Sequence, residues 1–427
     1  MKSQPSAIDF VSVPGAADLG ELTPGVPGAA LGADQIARAL RESIWPEPGG
    51  PGIPEIPRPG ESVCVVVSDH TRKTAAAEIL PVLFGLWRER GIALRDVFLL
   101  IASGIHRHPS PRELRTILGD PLYTEFKDRI RFHDPDDRAQ LVQVGATARG
   151  HTVRINRHAM QADCRILFGA AVYHYHAGFG GGRKSLVPGL AARATIRHNH
   201  SLTLHPREDR IHERVAPGIL DGNPVAEEML EAAYLCGPAA IVNSVLSHDG
   251  RLAGLFSGEL DLAHRAACRR AAELQRVELA QQADFVLASA GTARDWIQSH
   301  KALFNASRAV HGDGWIVLHA PCPEGLGNAR FRHWIGMPEL GAIFAGLRES
   351  PEVLGQTALS TKTRGRRTIL ITKMQEPDLR ALGIETAPDW DTAVQRVIGR
   401  LNEKGVQRPC FYRMPHARYT VPFPAGS

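Results

Sequence analysis

Residues 174–200 read HYHAGFGGGRKSLVPGLAARATIRHNH. They follow a short apolar strand, residues 164–171, and lead into a helical pattern, so they form the loop of a strand–loop–helix unit. The glycines at 180–182 let the backbone take positive φ and approach a ligand closely. Lys184 and Ser185 end the run as a phosphate-cradling Walker loop would. That pattern, however, needs glycine before the lysine, and Arg183 stands there, with a side chain expected in the space the phosphates need. What remains is a lysine with His174, His176, His198 and His200 within sixteen residues of it, donors suited to metal ligation and to proton transfer near neutral pH.

The same unit recurs upstream. Residues 62–68, SVCVVVS, form a continuous apolar run of the kind buried on both faces of a parallel sheet. The polar loop SDHTRKT and a helical pattern over 75–90 follow it. Residues 97–102 form another strand, SGIHRHPS its loop, and 111–118 a helix with Ser110 as N-cap. Ligands in open α/β sheets collect beyond the carboxyl ends of the strands, so three histidine-bearing loops are expected at one crevice. Further on come a helix at 224–235, a hairpin over 239–256 around Asp249-Gly250, and a long helix over 260–279. A second α/β pattern starts at Ala283, with strands at 284–290, 314–319 and 368–372 and helices at 296–309 and near 392–402.

The fold class is therefore α/β: two Rossmann-like domains with the active site in the cleft between them. The first spans 1–268, a bridging helix 269–282 follows, and the second covers 283–427, with its end from Pro409 packing back on the first. A length of 427 residues exceeds what one core usually holds, and 43% hydrophobic residues suffice for two. The excess of 50 basic over 45 acidic residues is mild and forms no run. It argues against nucleic acid as a partner and suits an anionic small substrate or a phosphorylated cofactor. Six cysteines scattered without a CxxC pair read as reduced, mostly buried thiols, and no apolar stretch is long enough for a membrane span. The expectation is a cytoplasmic protein.

Single residues leave alternatives open. Asp69 can cap the next helix, or orient a neighbouring donor or a ribose hydroxyl, and Arg72 offers a planar fork for a carboxylate. His106 after a strand is either structural or a base. Gln298 and Lys301, at i and i+3, are either a solvated stripe or a pair facing a ligand.

Taken together, these elements resemble the lactate racemase family. Its cofactor loop matches His174, Ala177, Gly178, Phe179, Gly181, Gly182, Lys184, Asn199 and His200; Asp69, Thr71 and Arg72 match its D-x-T-R element, and Gly104, His106 and Arg107 its Gly-x-His-Arg element. Gln298 and Lys301 match its glutamine and lysine. The resemblance implies a nickel-pincer nucleotide, a pyridinium-3-thioamide-5-thiocarboxylic acid mononucleotide made by dedicated maturation enzymes and tethered to Lys184, with His200 as nickel ligand. It places Asp69, Gly181 and Gly182 at the cofactor. His106 and His174 become the two catalytic bases, and Arg72, Gln298, Lys301 and His176 bind substrate.

The implied reaction is racemisation or epimerisation at C2 of a 2-hydroxy acid, by proton-coupled hydride transfer through a 2-keto acid. His176 stands where relatives acting on small apolar substrates are expected to carry an aromatic residue, and His70, His198 and His300 lie beside other site residues. That histidine content leans toward a polyhydroxylated aldonic acid over lactate or another short 2-hydroxy acid. Two other classes are a metal hydrolase liganded by His174, His176 and His200, and a nonenzymatic cofactor-binding protein.

Overall fold

The strand Val63–Ser68 lies inside a six-stranded sheet, between Val97–Ala102 on one side and Cys164–Ala170 on the other. Beyond these come Ile130–Phe132 at one edge and Ala240–Leu246 and Leu252–Gly258 at the other, and only the last runs antiparallel. The continuous apolar run has a simple cause, because both faces of the sheet are covered. Val63, Val65 and Val67 pack with Ile79, Leu83 and Trp87 of the helix Ala76–Glu89. Cys64 and Val66 point the other way, toward Leu190, Ile196 and Met229.

This sheet belongs to the unit Pro27–Leu274 of the computed structural model, which describes residues 9–425. A second unit is built from the residues up to Val26 and those from Gln275 on. Its six-stranded sheet is wholly parallel, in the order Ala17–Glu21, Cys410–Met414, Ala283–Ser289, Val310–His319, Thr368–Ile371, Glu385–Thr386. Phe285, Leu287, Val317, Ile369 and Val397 form its core. The α/β class expected from the sequence is what the chain adopts.

Three expected boundaries differ. Ala17–Glu21 pairs with Cys410–Met414, so it joins the second unit and not a domain spanning 1–268. This edge strand has no strong apolar alternation, and its Asp18 and Glu21 pair with Arg413. The long helix over 260–279 ends at Gln275, and Arg276–Leu279 is a strand paired with Val421–Pro424. No glycine or proline separates the two, which hides the change of period. At the chain's end, Cys410–Met414 and Val421–Pro424 are strands of the second unit. Residues 1–8 and 426–427, included in those expectations, lie outside the described residues. Among the described residues no helix is long and apolar enough to cross a membrane, and all six cysteines are free thiols.

Candidate active site

The chain runs outward from Val63–Ser68 through Val97–Ala102 to Ile130–Phe132, then returns to the opposite side at Cys164–Ala170. The topological switch point thus falls between Val63–Ser68 and Cys164–Ala170, where an open α/β sheet binds its ligand. The loops leaving these three central strands carry Asp69, His106 and Lys184.

Asp69 is buried at 2% exposure and uses both carboxylate oxygens. Oδ2 accepts from His106 Nδ1 at 2.7 Å, and Oδ1 accepts from the Thr71 amide at 2.9 Å and its hydroxyl at 2.6 Å. Burial alone would raise this carboxyl. The bonds from His106 and Thr71 outweigh it and hold the group below its ordinary value. A carboxylate can only accept, so Nδ1 of His106 carries a proton and the neutral ring keeps its lone pair at Nε2. The Asp69 that the resemblance puts at the cofactor is thus hydrogen-bonded to His106.

His174 is held differently. It lies on the two-residue strand Tyr173–His174, folded back onto Gly178–Phe179, and its Nδ1 accepts the backbone N–H of His176 at 3.2 Å and of Ala177 at 3.1 Å. His176 is buried, and its carbonyl accepts from Asn223 Nδ2 at 2.9 Å. The fold-back requires Gly178, with φ of 72° and a Cβ position 2.1 Å from the Ile219 carbonyl oxygen. Gly178→Ala is expected to destabilise the chain by about 2–4 kcal/mol, since both backbone strain and a backbone clash act at once. Urea unfolding checks this, and an unchanged midpoint contradicts it.

Lys184 sits in the 3-10 turn Gly182–Ser185. Burial first, then the charges of Arg72 and Arg183, push its ammonium from 10.5 down to about 7. His200, on the helix Arg193–Ser201, is pushed to about 3 by burial, then by Lys184 and His106, so its imidazole is neutral. These mutual influences tie Arg72, His106, Lys184 and His200 to one neighbourhood of the unit. Arg72 is exposed, with its guanidinium bonded to the Thr71 carbonyl at 3.1 Å.

Arg183 does not occupy the phosphate space expected of it. It is buried, directed at His264 Nδ1 (3.2 Å) and Asp261 (3.4 Å). Gly181 and Gly182 both have positive φ, and their Cβ positions are filled by Asn243, Ala170 and His264.

The remaining sequence candidates lie on other elements. His198 stacks on His151 at 4.1 Å beside Glu228. His300 is buried in the second unit, with Nε2 2.8 Å from Ser360 Oγ. Gln298 and Lys301 stand on the second unit's helix Trp296–Ala306, where Asp295 accepts both the backbone and the side-chain amide of Gln298.

The family model for the lactate racemase N-terminal domain matches residues 12–211. A lactate racemase of Thermoanaerobacterium thermosaccharolyticum is 29% identical over 304 residues, 70% of this chain and 68% of that one. A lactate racemase of Lactiplantibacillus plantarum is 30% identical over 289 residues, 67% of this chain and 66% of that one, just under two thirds of its length. The chain belongs to the lactate racemase family. The solved lactate racemase apoprotein from T. thermosaccharolyticum shares the fold, with a TM-score of 0.84 at 23% identity over 97% of both chains. So does a Thermotoga maritima protein of solved structure, at 0.66 and 17% identity over 93% of this chain and 100% of that one. As a racemase family member the chain is an isomerase.

Two residues that sequence reasoning missed shape this racemase-family loop. Asn243 Oδ1 accepts the Gly182 N–H at 2.7 Å, and His264 Nε2 donates to the Gly180 carbonyl at 2.8 Å. Burial, then Arg183, pushes His264 down to about 3, which keeps it neutral. A polar residue inside the apolar run AIVNSVL was the visible signal for Asn243, whereas His264 had none.

Proposed function

We propose that the chain racemises or epimerises a 2-hydroxy acid at C2 with a nickel-pincer nucleotide held by Lys184 and His200. The observation that carries this reading is the carboxylate-oriented base, Asp69–His106, in one neighbourhood with a desolvated lysine and a neutral histidine.

The cofactor fits the residues. An amine brought to about 7 is substantially unprotonated at neutral pH and can form an amide-type tether, and a neutral imidazole is a metal ligand. Among the described residues no three His, Cys, Asp or Glu side chains are grouped to hold a metal. A nickel at His200 therefore takes its other ligands from outside the chain, which a pincer supplies and the hydrolase alternative lacks. When bound, the nucleotide supplies an acceptor for the C2 hydride.

The chain's own residues do the rest. Arg72 offers its fork to the substrate carboxylate, and His106 and His174 handle the hydroxyl proton. Deprotonating the hydroxyl assists departure of the C2 hydride, so base and acceptor must be placed together. His70, whose Nδ1 is buried without a hydrogen-bond partner, and the buried His176 support a substrate richer in hydroxyls than lactate, an aldonic acid. The partners proposed are this anionic substrate and the cofactor's maturation enzymes, in the cytoplasm.

The test is chiral chromatography of lactate, malate, phenyllactate and aldonates, labelled with deuterium at C2, after incubation with protein produced alongside the maturation enzymes. Inversion with deuterium retained at C2 is expected, fastest for an aldonate. Washout of deuterium contradicts hydride transfer, and lactate turning over fastest contradicts the aldonate.

A further inference from the structure

We infer that His264 is the post around which the Lys184 turn is wound, and that Arg183 and His264 act together as positioning residues that fix where the lysine emerges. This rests on the reading of Lys184 as the residue that holds the cofactor. The turn needs an outside support because Gly181 and Gly182 both sit at positive φ and bring no side chain of their own to hold it.

Three groups of the turn converge on one imidazole. His264 lies in the first turn of the helix Leu262–Gln275 and is wholly buried. Its Nε2 donates to the Gly180 carbonyl at 2.8 Å, and its Nδ1 accepts from Arg183 Nη1 at 3.2 Å. A guanidinium can only donate and a carbonyl can only accept, so both bonds hold together only in the neutral ring with its proton on Nε2. Between those two residues, a Cβ on Gly182 would stand 2.9 Å from His264 Cδ2, so the backbone passes directly against the ring. Arg183 is fixed in its turn. It is buried, and Asp261 Oδ1 lies 3.4 Å from its Nη1, while Asp261 Oδ2 accepts from Arg265 at 2.6 Å and Arg265 pairs with Asp221. The buried charge therefore has a carboxylate beside it, and removing either member leaves the other unpaired. The rest of the turn closes on itself: Asn243 takes the Gly182 N–H, the Lys184 N–H reaches the Gly181 carbonyl at 3.1 Å, and the Lys184 carbonyl accepts from Gly189 at 3.0 Å. Lys184 follows Arg183 directly, so the clasp sets the origin of its side chain. A misplacement of about 1 Å can cost a reacting group about 10²-fold.

The experiment is hydrogen exchange read by mass spectrometry on the full chain made without maturation enzymes, comparing the peptide over 178–190 with the strand Val63–Ser68. His264→Phe keeps a buried ring and loses both hydrogen bonds, and Arg183→Met loses one of them together with the charge. Each is expected to speed exchange of the Gly182 and Lys184 amides by about 10²-fold while the strand stays as in the wild type. His264→Gln, which keeps a donor for the Gly180 carbonyl, is expected to stay within about tenfold. In protein produced alongside the maturation enzymes, the share of Lys184 peptide carrying the nucleotide should fall at least about tenfold in the first two variants and recover in His264→Gln. Turn exchange as slow as wild type in His264→Phe overturns the inference, as does equal acceleration in turn and strand, which is loss of global stability. So does an unchanged adduct level beside an opened turn. The wild type supplies a measurement that needs no folded variant: nitrogen chemical shifts of His264, assigned through the backbone near neutral pH, should show a protonated Nε2 and a bare Nδ1, and a proton on Nδ1 overturns the clasp. A turn that behaves as expected in a protein whose Lys184 takes no adduct overturns the cofactor reading instead.

Discussion

Lys184→Met is expected to abolish cofactor attachment and turnover, and at the same time to stabilise the chain that carries no cofactor. Turnover should fall to background, about 10⁶-fold or more below the wild type, because the unprotonated amine that forms the tether is lost. The stability gain follows from the same desolvation that activates the lysine. Its value is 10.5 when exposed and about 7 in the folded chain. Below about 7 the amine is charged in both states and the full burial penalty applies. Between about 7 and 10.5 only the unfolded chain binds the proton, so stability rises with pH until the penalty is gone. Methionine removes the penalty at every pH. The variant should therefore gain on the order of 1–3 kcal/mol at pH 7, with the gain fading toward pH 10.5. Urea unfolding of protein made without maturation enzymes measures it. A loss of stability at pH 7, or a gain that grows with pH, contradicts the picture of a lysine held at a cost for its reactivity.

Asp69→Asn is expected to cost about 10³–10⁴-fold in turnover while leaving the fold intact. The two Thr71 donors oblige the amide oxygen to stay at the Oδ1 position, which turns the amide N–H₂ toward His106 Nδ1. The ring must then accept at Nδ1, its proton moves to Nε2, and the base is lost. A long-range proton–nitrogen correlation spectrum of the chain labelled with 15N at histidine should show the His106 proton on Nδ1 in the wild type and on Nε2 in the variant. Activity within tenfold of wild type, or an unchanged His106 tautomer, contradicts the role given to Asp69. The carboxyl also has a signature in pH. Held below its ordinary value, it stabilises the chain above about pH 3.8, and that contribution is lost as pH falls further through the folded value. The wild type should therefore lose its advantage over the variant on acidification.

The sheet of the first unit was legible because its strands are covered on both faces and read as unbroken apolar runs, SVCVVVS above all. The three loops were legible because each follows such a run. What escaped were elements without a period of their own: the edge strand Ala17–Glu21, and Arg276–Leu279, continuous in sequence with the preceding helix. The site was legible in its residue types more than in their partners. Asp69 read equally as a helix cap or an orienting group, and only the approach of a residue 37 positions away decides for His106. The partners of the other histidines were hidden for the same reason. His198 and His300 answer to Glu228, His151 and Ser360, contacts made by the fold that no local spacing encodes.

The most direct test is peptide mass spectrometry with nickel analysis on protein produced alongside the maturation enzymes. The expected result is a nucleotide adduct on the peptide containing Lys184, with one nickel per adduct. An unmodified Lys184 peptide in protein that holds its metal tightly would contradict it and favour the hydrolase.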